Sequence, residues 1–500
     1  MITIIYSTHK SLDYNKSFKE HLKKTIGIKN YEILEYENFN QFTLAEIYNK
    51  GIRDSKNDII VCCHNDIKLE SDWGKKLLKD FEKNPDYGII GKAGSCYFPE
   101  SGIYWERMHQ TMVGHVYHQP EGQKKWLSKY SSSSSEIIPV VTIDGLFMSF
   151  NKTKIKHLFD ETIGKFHFYD HSFCVPNFND GVKIGVTFSF DIIHQSVGQP
   201  NDEFFKSKDV FVEKYKSILP IDLKPKKILY EHIKEKPIKN IGKVAVIILT
   251  KGKVEMLYDC VKSFYDHCNS NLFTIFIADT GSLNEEKEWI KDNIIPLGDV
   301  QLIEYNYYNF AKINNDVVKN HVNGDYEFLL FCNNDIKLLN NVIYGMLNVF
   351  KTKNNVGTVG CRLHFGDNTI QHDGIVMYIP KEQKLEFTHH GLKSYYNYRP
   401  SLNLVVGSTG ALLMIKKNLF NSIGYFNEGY ENCFEDVELN LQCLLRGHYN
   451  YYDGNLVAYH YESMTRKEEN KINVTNDYIN VLMPFVNKNL EKLNKYIIKV

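Results

Sequence analysis

Short apolar runs alternate with stretches of helical spacing along most of the chain. Ile2–Tyr6 and Glu32–Tyr36 read as strands on either side of a Lys-rich helix at 15–25. A helix at Leu44–Arg53 leads to the apolar run Ile59–Cys62. Trp73–Lys83 has helical spacing, and Tyr87–Gly91 reads as the next strand. This alternation predicts parallel strands joined by crossover helices, an α/β fold. Between Gly94 and Ile137 the pattern lapses, in a stretch holding Trp105, His115, His118, Trp126 and the run Ser131–Ser135. It reads as a flexible insertion or as a mobile loop over a site. Pattern resumes at Ile138–Phe150. Residues 218–243, with Pro220, Pro225, Pro237 and many lysines, read as a linker with a short helix near 228–235. A second series then opens with the strand Val244–Leu249, a helix at 254–267 and the strand Phe273–Ala278. Beyond 465 an amphipathic helical pattern carries Tyr478, Val481, Leu482, Phe485, Leu490 and Leu493, a face suited to pack on a domain rather than a membrane.

The two series are related. Cys63-His-Asn-Asp-Ile-Lys-Leu69 returns as Cys332-Asn-Asn-Asp-Ile-Lys-Leu338, each after an apolar run. Asp335 follows Asp66 by 269 positions and Gly357 follows Gly88 by 269; for Gly145 and Gly410 the offset is 265, and for Asp170 and Asp436, and for His194 and His460, it is 266. A near-constant offset of this length marks duplication of whole domains. The expected division is 1–219 and 244–465, joined by 220–243, with 466–500 a C-terminal helical segment.

Composition narrows the function classes. The 500 residues carry no formal net charge, which gives no basis for nucleic acid as a partner. The ten cysteines are scattered without a CxxC pair, as in a reducing cytoplasm. Met1–Tyr6 is too short an apolar run for a signal peptide or membrane span, so the expectation is a cytoplasmic protein with at most peripheral membrane contact.

The chemistry concentrates at strand ends. Asp66 and Asp335 each follow an apolar strand, at the edge where open α/β sheets bind ligands. One or two carboxylates suffice for Mg²⁺ or Mn²⁺ when a diphosphate supplies further ligands; taken singly, each is equally read as an Asx turn. Glu435 and Asp436 open the helical apolar face of Leu439, Leu441, Leu444 and Leu445. The helix dipole would keep Asp436 ionised there, as a general base or merely as a cap. His460 ends another strand, as a metal ligand or a structural histidine. Phe168-Tyr169-Asp170 and Ile192-Ile193-His194 repeat this series in the first half.

Both halves resemble inverting family 2 glycosyltransferases of the GT-A fold, the second more closely. It carries, in order, Val246–Thr250, Asp279-Thr-Gly-Ser282, Asn309–Asn314, Asn333-Asn334-Asp335, Ile370-Gln-His-Asp-Gly374, Gly407–Ala411, Glu435-Asp436 and Tyr459-His460-Tyr-Glu-Ser463. The resemblance implies two tandem Rossmann-like domains with mostly parallel sheets. It assigns Asp279 to the donor base, Asp335 and His460 to Mn²⁺ or Mg²⁺, and Asp436 to catalysis. Thr250, Asn314, Asn334, Thr409, Gly410 and Glu435 would line the donor and acceptor.

The first half resembles a divergent branch, on Tyr48-Asn49-Lys-Gly51, His64-Asn65-Asp66, Asp144-Gly145-Leu-Phe147, Phe166–Asp170 and His194. Asp66 and His194 would hold metal and Asp170 would be the base. Asn49, Asn65, Asp144 and Gly145 would meet the donor. No Asp-x-x-Ser follows its second strand, which leaves Glu37 for the base contact, and Tyr169 replaces the first carboxylate of the acidic pair. The resemblance implies a nucleotide-sugar donor, most often a UDP-sugar, and a glycan, lipid-linked or protein acceptor. It leaves three readings: two active domains building a surface polysaccharide or glycan, one active second domain beside a degenerate acceptor-binding first domain, or a non-catalytic glycan-binding protein.

Overall fold

The computed structural model describes residues 1–8, 12–198, 200–230, 242–379, 385–431, 433–461 and 475–499. Two compact units divide the chain. One is Met1–Pro225 with Tyr395–Asn397; the other is Lys226–Ser394 with Tyr398–Val500. The expected short helix near 228–235 lies mostly outside the described residues, as do Glu462 and Ser463.

In the first unit, the apolar run Ile2–Thr8 becomes a central strand because both of its faces are covered. It pairs in parallel with Tyr31–Glu37 on one side and Ile59–Cys63 on the other. The helix Leu44–Asp54 starts at Thr43, whose Oγ1 accepts the Glu46 N–H at 3.1 Å while the Glu46 carboxylate accepts the Thr43 N–H at 2.7 Å. That reciprocal cap satisfies two otherwise orphaned donors. Trp73–Lys83 buries Trp73, Leu77 and Phe81. The seven-stranded sheet continues through Phe147–Asn151, antiparallel to Ile59–Cys63, to Tyr87–Gly91, Lys183–Val186 and Ile138–Val140.

The second unit repeats this plan. Lys243–Thr250 lies between Phe273–Asp279 and Tyr326–Asn333, all parallel, and Tyr326–Asn333 pairs antiparallel with Leu412–Lys416. One insertion separates the two plans. The second unit places the helix Asn284–Asn293 and the strand Val300–Glu304 after Phe273–Asp279, whereas in the first unit Tyr31–Glu37 leads directly to Leu44–Asp54.

Both main sheets are mixed rather than mostly parallel, because Phe147–Asn151 and Leu412–Lys416 enter them antiparallel to their neighbours. Two stretches also differ from the sequence expectation. Residues 94–137 form part of a second sheet, in which Met112–His118 pairs with Ala93–Ser95, with Trp126–Lys129 and, in parallel, with Ile192–His194. Its alternation is hidden because Trp126 and Leu127 are solvent-exposed and the strands pair across long loops. The C-terminal segment is helical from Asp477 to Leu493, then ends as the strand Ile497–Lys499 beside Ile375–Ile379. β-Branched Ile497 and Ile498 suit an edge strand better than a last helical turn. Leu482, Val486 and Leu493 pack against Ile375, Met377, Leu441 and Leu444, so this segment covers the second unit; Leu490 stays exposed. Among the described residues no helix is long and apolar enough to cross a membrane.

Candidate active sites

Each unit brings a carboxylate and an imidazole together by the same register. Past Ile59–Cys63 the chain makes one turn, through His64, Asn65 and Asp66, and enters the short strand Ile67–Leu69, antiparallel to Ile192–His194 with Ile67 opposite His194. Past Tyr326–Asn333 it enters Ile336–Leu338, with Ile336 opposite His460. The aspartate thus sits one residue before the partner of the histidine in both units. His194 Nε2 lies 3.5 Å from Asp66 Oδ2, and His460 Nε2 lies 3.2 Å from Asp335 Oδ1.

The second-unit pair fits a cation. His460 Nδ1 is 2.6 Å from Gln371 Oε1, an acceptor, so Nδ1 carries the proton and Nε2 a lone pair, which also faces Asn333 Nδ2 at 3.1 Å. Asp335 Oδ1 is buried without a hydrogen-bond partner among the described residues. With Nε2 unprotonated, two acceptors face each other at 3.2 Å, an arrangement that either a metal ion or a proton on Nε2 would relieve.

In the first unit the set is larger. His64, Asp66 and His194 offer ligand atoms all within 4.8 Å of one another, the one such group of three among the described residues. Burial would raise the Asp66 carboxyl, but contact with His194 and the charges of His194 and His64 outweigh it and hold the group well below the usual carboxylate range. Burial holds His64 below its ordinary value, against the pull of Asp66. The family resemblance assigns no role to His64. Its own identity was the signal, since imidazole is itself a common ligand.

The helix-borne aspartates are also matched. Asp170 Oδ2 accepts the Gly145 N–H at 2.9 Å and Asp170 Oδ1 that of His171 at 2.8 Å. Asp436 does the same with Gly410, at 2.6 Å, and with Val437, at 2.7 Å. Both carboxylates stay partly open to solvent in the first turn of their helices. They are thereby fixed in direction and remain available as proton acceptors.

The other expected residues fall into two groups. Asn65 Nδ2 donates to Thr8 Oγ1 at 2.9 Å and Asn334 Nδ2 to Thr250 Oγ1 at 3.0 Å, tying the turn that carries Asp66 or Asp335 to the first strand of each unit. Asp144 caps the Leu146 N–H at 2.8 Å and accepts from Tyr104 at 3.0 Å. The Thr409 N–H faces His372 Nε2 at 3.4 Å, and Glu435 is buried beside Asp436. Away from these, Asn49 is buried and bonds both the carbonyl of Phe159, at 2.8 Å, and its N–H, at 3.0 Å. Asn315 clasps Phe426 in the same way, at 3.0 Å for each bond. Asn49 is therefore a fastener between segments, matched by Asn315 rather than by Asn314. Asn314 donates to Phe310 within its own helix.

Glu37 lies opposite Thr8 as Asp279 lies opposite Thr250, so the two share a register position. Their environments differ. Asp279 is fully buried and its oxygens accept the Ser282 N–H at 3.2 Å and the Ser282 hydroxyl. Glu37 is exposed, and Asn38 caps the following loop instead, accepting from Gln41 at 3.0 Å and Phe42 at 3.1 Å.

Residues 4–215 match a family model described as "Glycosyltransferase like family". The O-antigen biosynthesis protein RfbC of Myxococcus xanthus is 24% identical over 241 residues, 47% of this chain and 18% of RfbC. The uncharacterized protein y4gI of Sinorhizobium fredii (strain NBRC 101917 / NGR234) is 24% identical over 251 residues, 47% of this chain and 26% of y4gI. The chain thus spans about a quarter or less of these curated relatives. Among solved structures, GalNAc-T7 with UDP, GalNAc and Mn²⁺ aligns over 45% of this chain and 44% of its own, at 14% identity and a TM-score of 0.37. The mannosyltransferase PcManGT from Pyrobaculum calidifontis with GDP-Man and Mn²⁺ aligns over 47% and 60%, at 13% identity and a TM-score of 0.32. The family match covers the first unit, the half whose motifs depart further from the series in the second.

Proposed function

We propose that the chain is a metal-dependent, inverting glycosyltransferase with a nucleotide-sugar site in each unit, acting in the assembly of a polysaccharide or other glycan. The observation that carries this reading is the doubled constellation: a strand-end Asp facing a His, with a helix-start Asp pinned by a glycine N–H. Sequence similarity of residues 4–215 to glycosyltransferases supports it from an independent side.

In this reading Asp335 with His460, and Asp66 with His194, hold Mn²⁺ or Mg²⁺. Bound there, the cation would neutralise the charge gathering on the departing nucleoside diphosphate. Asp436 and Asp170 each accept a proton from an acceptor hydroxyl held in line with the bond being broken. Their two backbone hydrogen bonds fix that direction, which supplies much of the rate through orientation. Inversion follows because the hydroxyl attacks opposite the leaving group. Asp279 acts by holding the loop 280–283, against which the donor base would lie. Glu37, at the register position of Asp279, is exposed in the first unit, so its base contact differs.

The test is a donor screen on the full-length chain with Mn²⁺ or EDTA, reading released nucleotide and transferred sugar. Asp66→Ala and Asp335→Ala should each abolish one transfer and spare the other. Full activity in Asp66→Ala would reduce the first unit to an acceptor-binding module. Unchanged turnover in both variants would remove the metal-dependent reading altogether.

A further inference from the structure

We propose that His64 is a third protein ligand in the first unit, aimed by Tyr169, so that this unit captures a transition-metal ion without nucleotide while the second unit depends on the donor diphosphate. This rests on the reading of the Asp66 and His194 cluster as a metal site.

His64 Nε2 lies 2.9 Å from the Tyr169 hydroxyl, and its other nitrogen, Nδ1, lies 3.9 Å from Asp66 Oδ1. With Nε2–H donating to Tyr169, the Nδ1 lone pair faces Asp66, whose other oxygen, Oδ2, lies 3.5 Å from His194 Nε2; the Ser196 hydroxyl lies 3.0 Å from that same nitrogen. Ligand atoms on neighbouring vertices around a first-row ion stand about 3 Å apart, given metal–ligand distances of about 2.1 Å. Three atoms within 4.8 Å of one another close on an ion through small side-chain rotations.

The second unit lacks this arrangement. Asn333 stands where His64 stands, and its amide nitrogen is turned to His460. Glu435 stands where Tyr169 stands. The loss of the first carboxylate in the first unit therefore accompanies a gain, with tyrosine and histidine exchanged in together. Gly145 permits it, because a Cβ there would lie 2.0 Å from the Tyr169 oxygen.

Two imidazoles and one carboxylate favour Mn²⁺, Co²⁺ or Zn²⁺ over Mg²⁺, which prefers oxygen ligands and keeps its waters. Three protein ligands also remove the need for phosphate oxygens to complete a stable complex. An orienting partner such as Tyr169 is worth 10–100-fold in metal affinity at comparable sites, so its removal should be measurable.

The experiment titrates nucleotide-free, full-length protein with Co²⁺, reading affinity by calorimetry and coordination by visible absorption. One tight site is expected, retained in Asp335→Ala and lost in Asp66→Ala. His64→Asn should weaken it at least tenfold and change the Co²⁺ spectrum, and Tyr169→Phe should weaken it less. Far-UV circular dichroism on each variant separates ligand loss from unfolding. Unchanged affinity and spectrum in His64→Asn, with fold retained, would overturn the proposal, as would a tight site that survives Asp66→Ala. If the His64 effects hold but no donor is turned over, the ligand assignment stands and the transferase reading falls.

Discussion

Phe168 and Phe434 occupy the same left-handed conformation, with φ of 63° and 74°, two residues before Asp170 and Asp436. A bulky residue in this region costs about 1 kcal/mol or more and persists only where the surroundings demand it. Here the demand is a sharp entry that brings Asp170 to the N–H of Gly145 and Asp436 to that of Gly410. Phe168 is held by Phe204 and Phe211 at ring distances of 5.1 and 5.3 Å. Both Phe168→Ala and Phe168→Gly lose this packing, but only Gly tolerates the backbone. Thermal unfolding should therefore find the Gly variant more stable than the Ala variant by about 1 kcal/mol.

Gly145 and Gly410 share a role but differ in clearance. An added Cβ would lie 2.0 Å from the Tyr169 hydroxyl at 145, and 3.2 Å from Asp436 Cβ at 410. Gly145→Ala should cost roughly 1–3 kcal/mol, as overpacking does. It should also abolish transfer by the first unit, since Tyr169, the residue before Asp170, must move. Gly410→Ala should cost less stability. Denaturant unfolding together with donor turnover for each unit checks both statements.

Gln371 acts on the second site through His460. Its Oε1 accepts the Nδ1–H hydrogen bond at 2.6 Å, which leaves the Nε2 lone pair for the cation of the proposed reading. Gln371→Met should weaken Mn²⁺ dependence of second-unit turnover by about 10–100-fold, while Gln371→Glu retains much of it. First-unit turnover should stay unchanged in both variants. A loss in both units would mean that the substitution damaged the fold.

His364 is buried, and burial, reinforced by the charge of Arg362, holds it down at about 3. Its folded-state value lies below its unfolded value, so the neutral ring contributes stability that is present above about pH 6.5 and lost as pH falls toward 3. His364→Gln removes this titration while keeping a donor for the Asn368 carbonyl, which Nδ1 meets at 2.8 Å. Stability measured between pH 7 and pH 4 should fall less steeply in the variant than in the parent chain.

The local signals in the sequence carried far. Trp73–Lys83, Tyr87–Gly91 and Val254–His267 have the bounds that spacing predicts, because each is set by its own apolar face and flanking polar residues. The strand-end positions of Asp66 and Asp335 were likewise legible. What escaped depends on partners distant in the chain. The sheet around Met112–His118 is defined by pairing with Ile192–His194, which no local alternation reveals. Asn49 looks like any polar residue on an amphipathic helix until Phe159 is brought against it. Glu37 holds the register of Asp279, yet exposure separates the two, and exposure is a property of the packed unit.

The short strands beside Asp66 and His194 have a mechanical consequence if these residues hold a cation as proposed. Ile67–Leu69 is held to Ile192–His194 by three residue pairs, too few to be stable alone, and Asp66 and His194 stand at the end of that seam. An ion gripped there would act as a rivet between segments far apart in the chain, and chelation would release it. Amide exchange at Ile67–Leu69 and Ile192–His194 would then quicken together on adding EDTA, while the buried Ile2–Thr8 strand kept its slow rate. The cofactor would govern how long this seam stays shut as well as the charge within it.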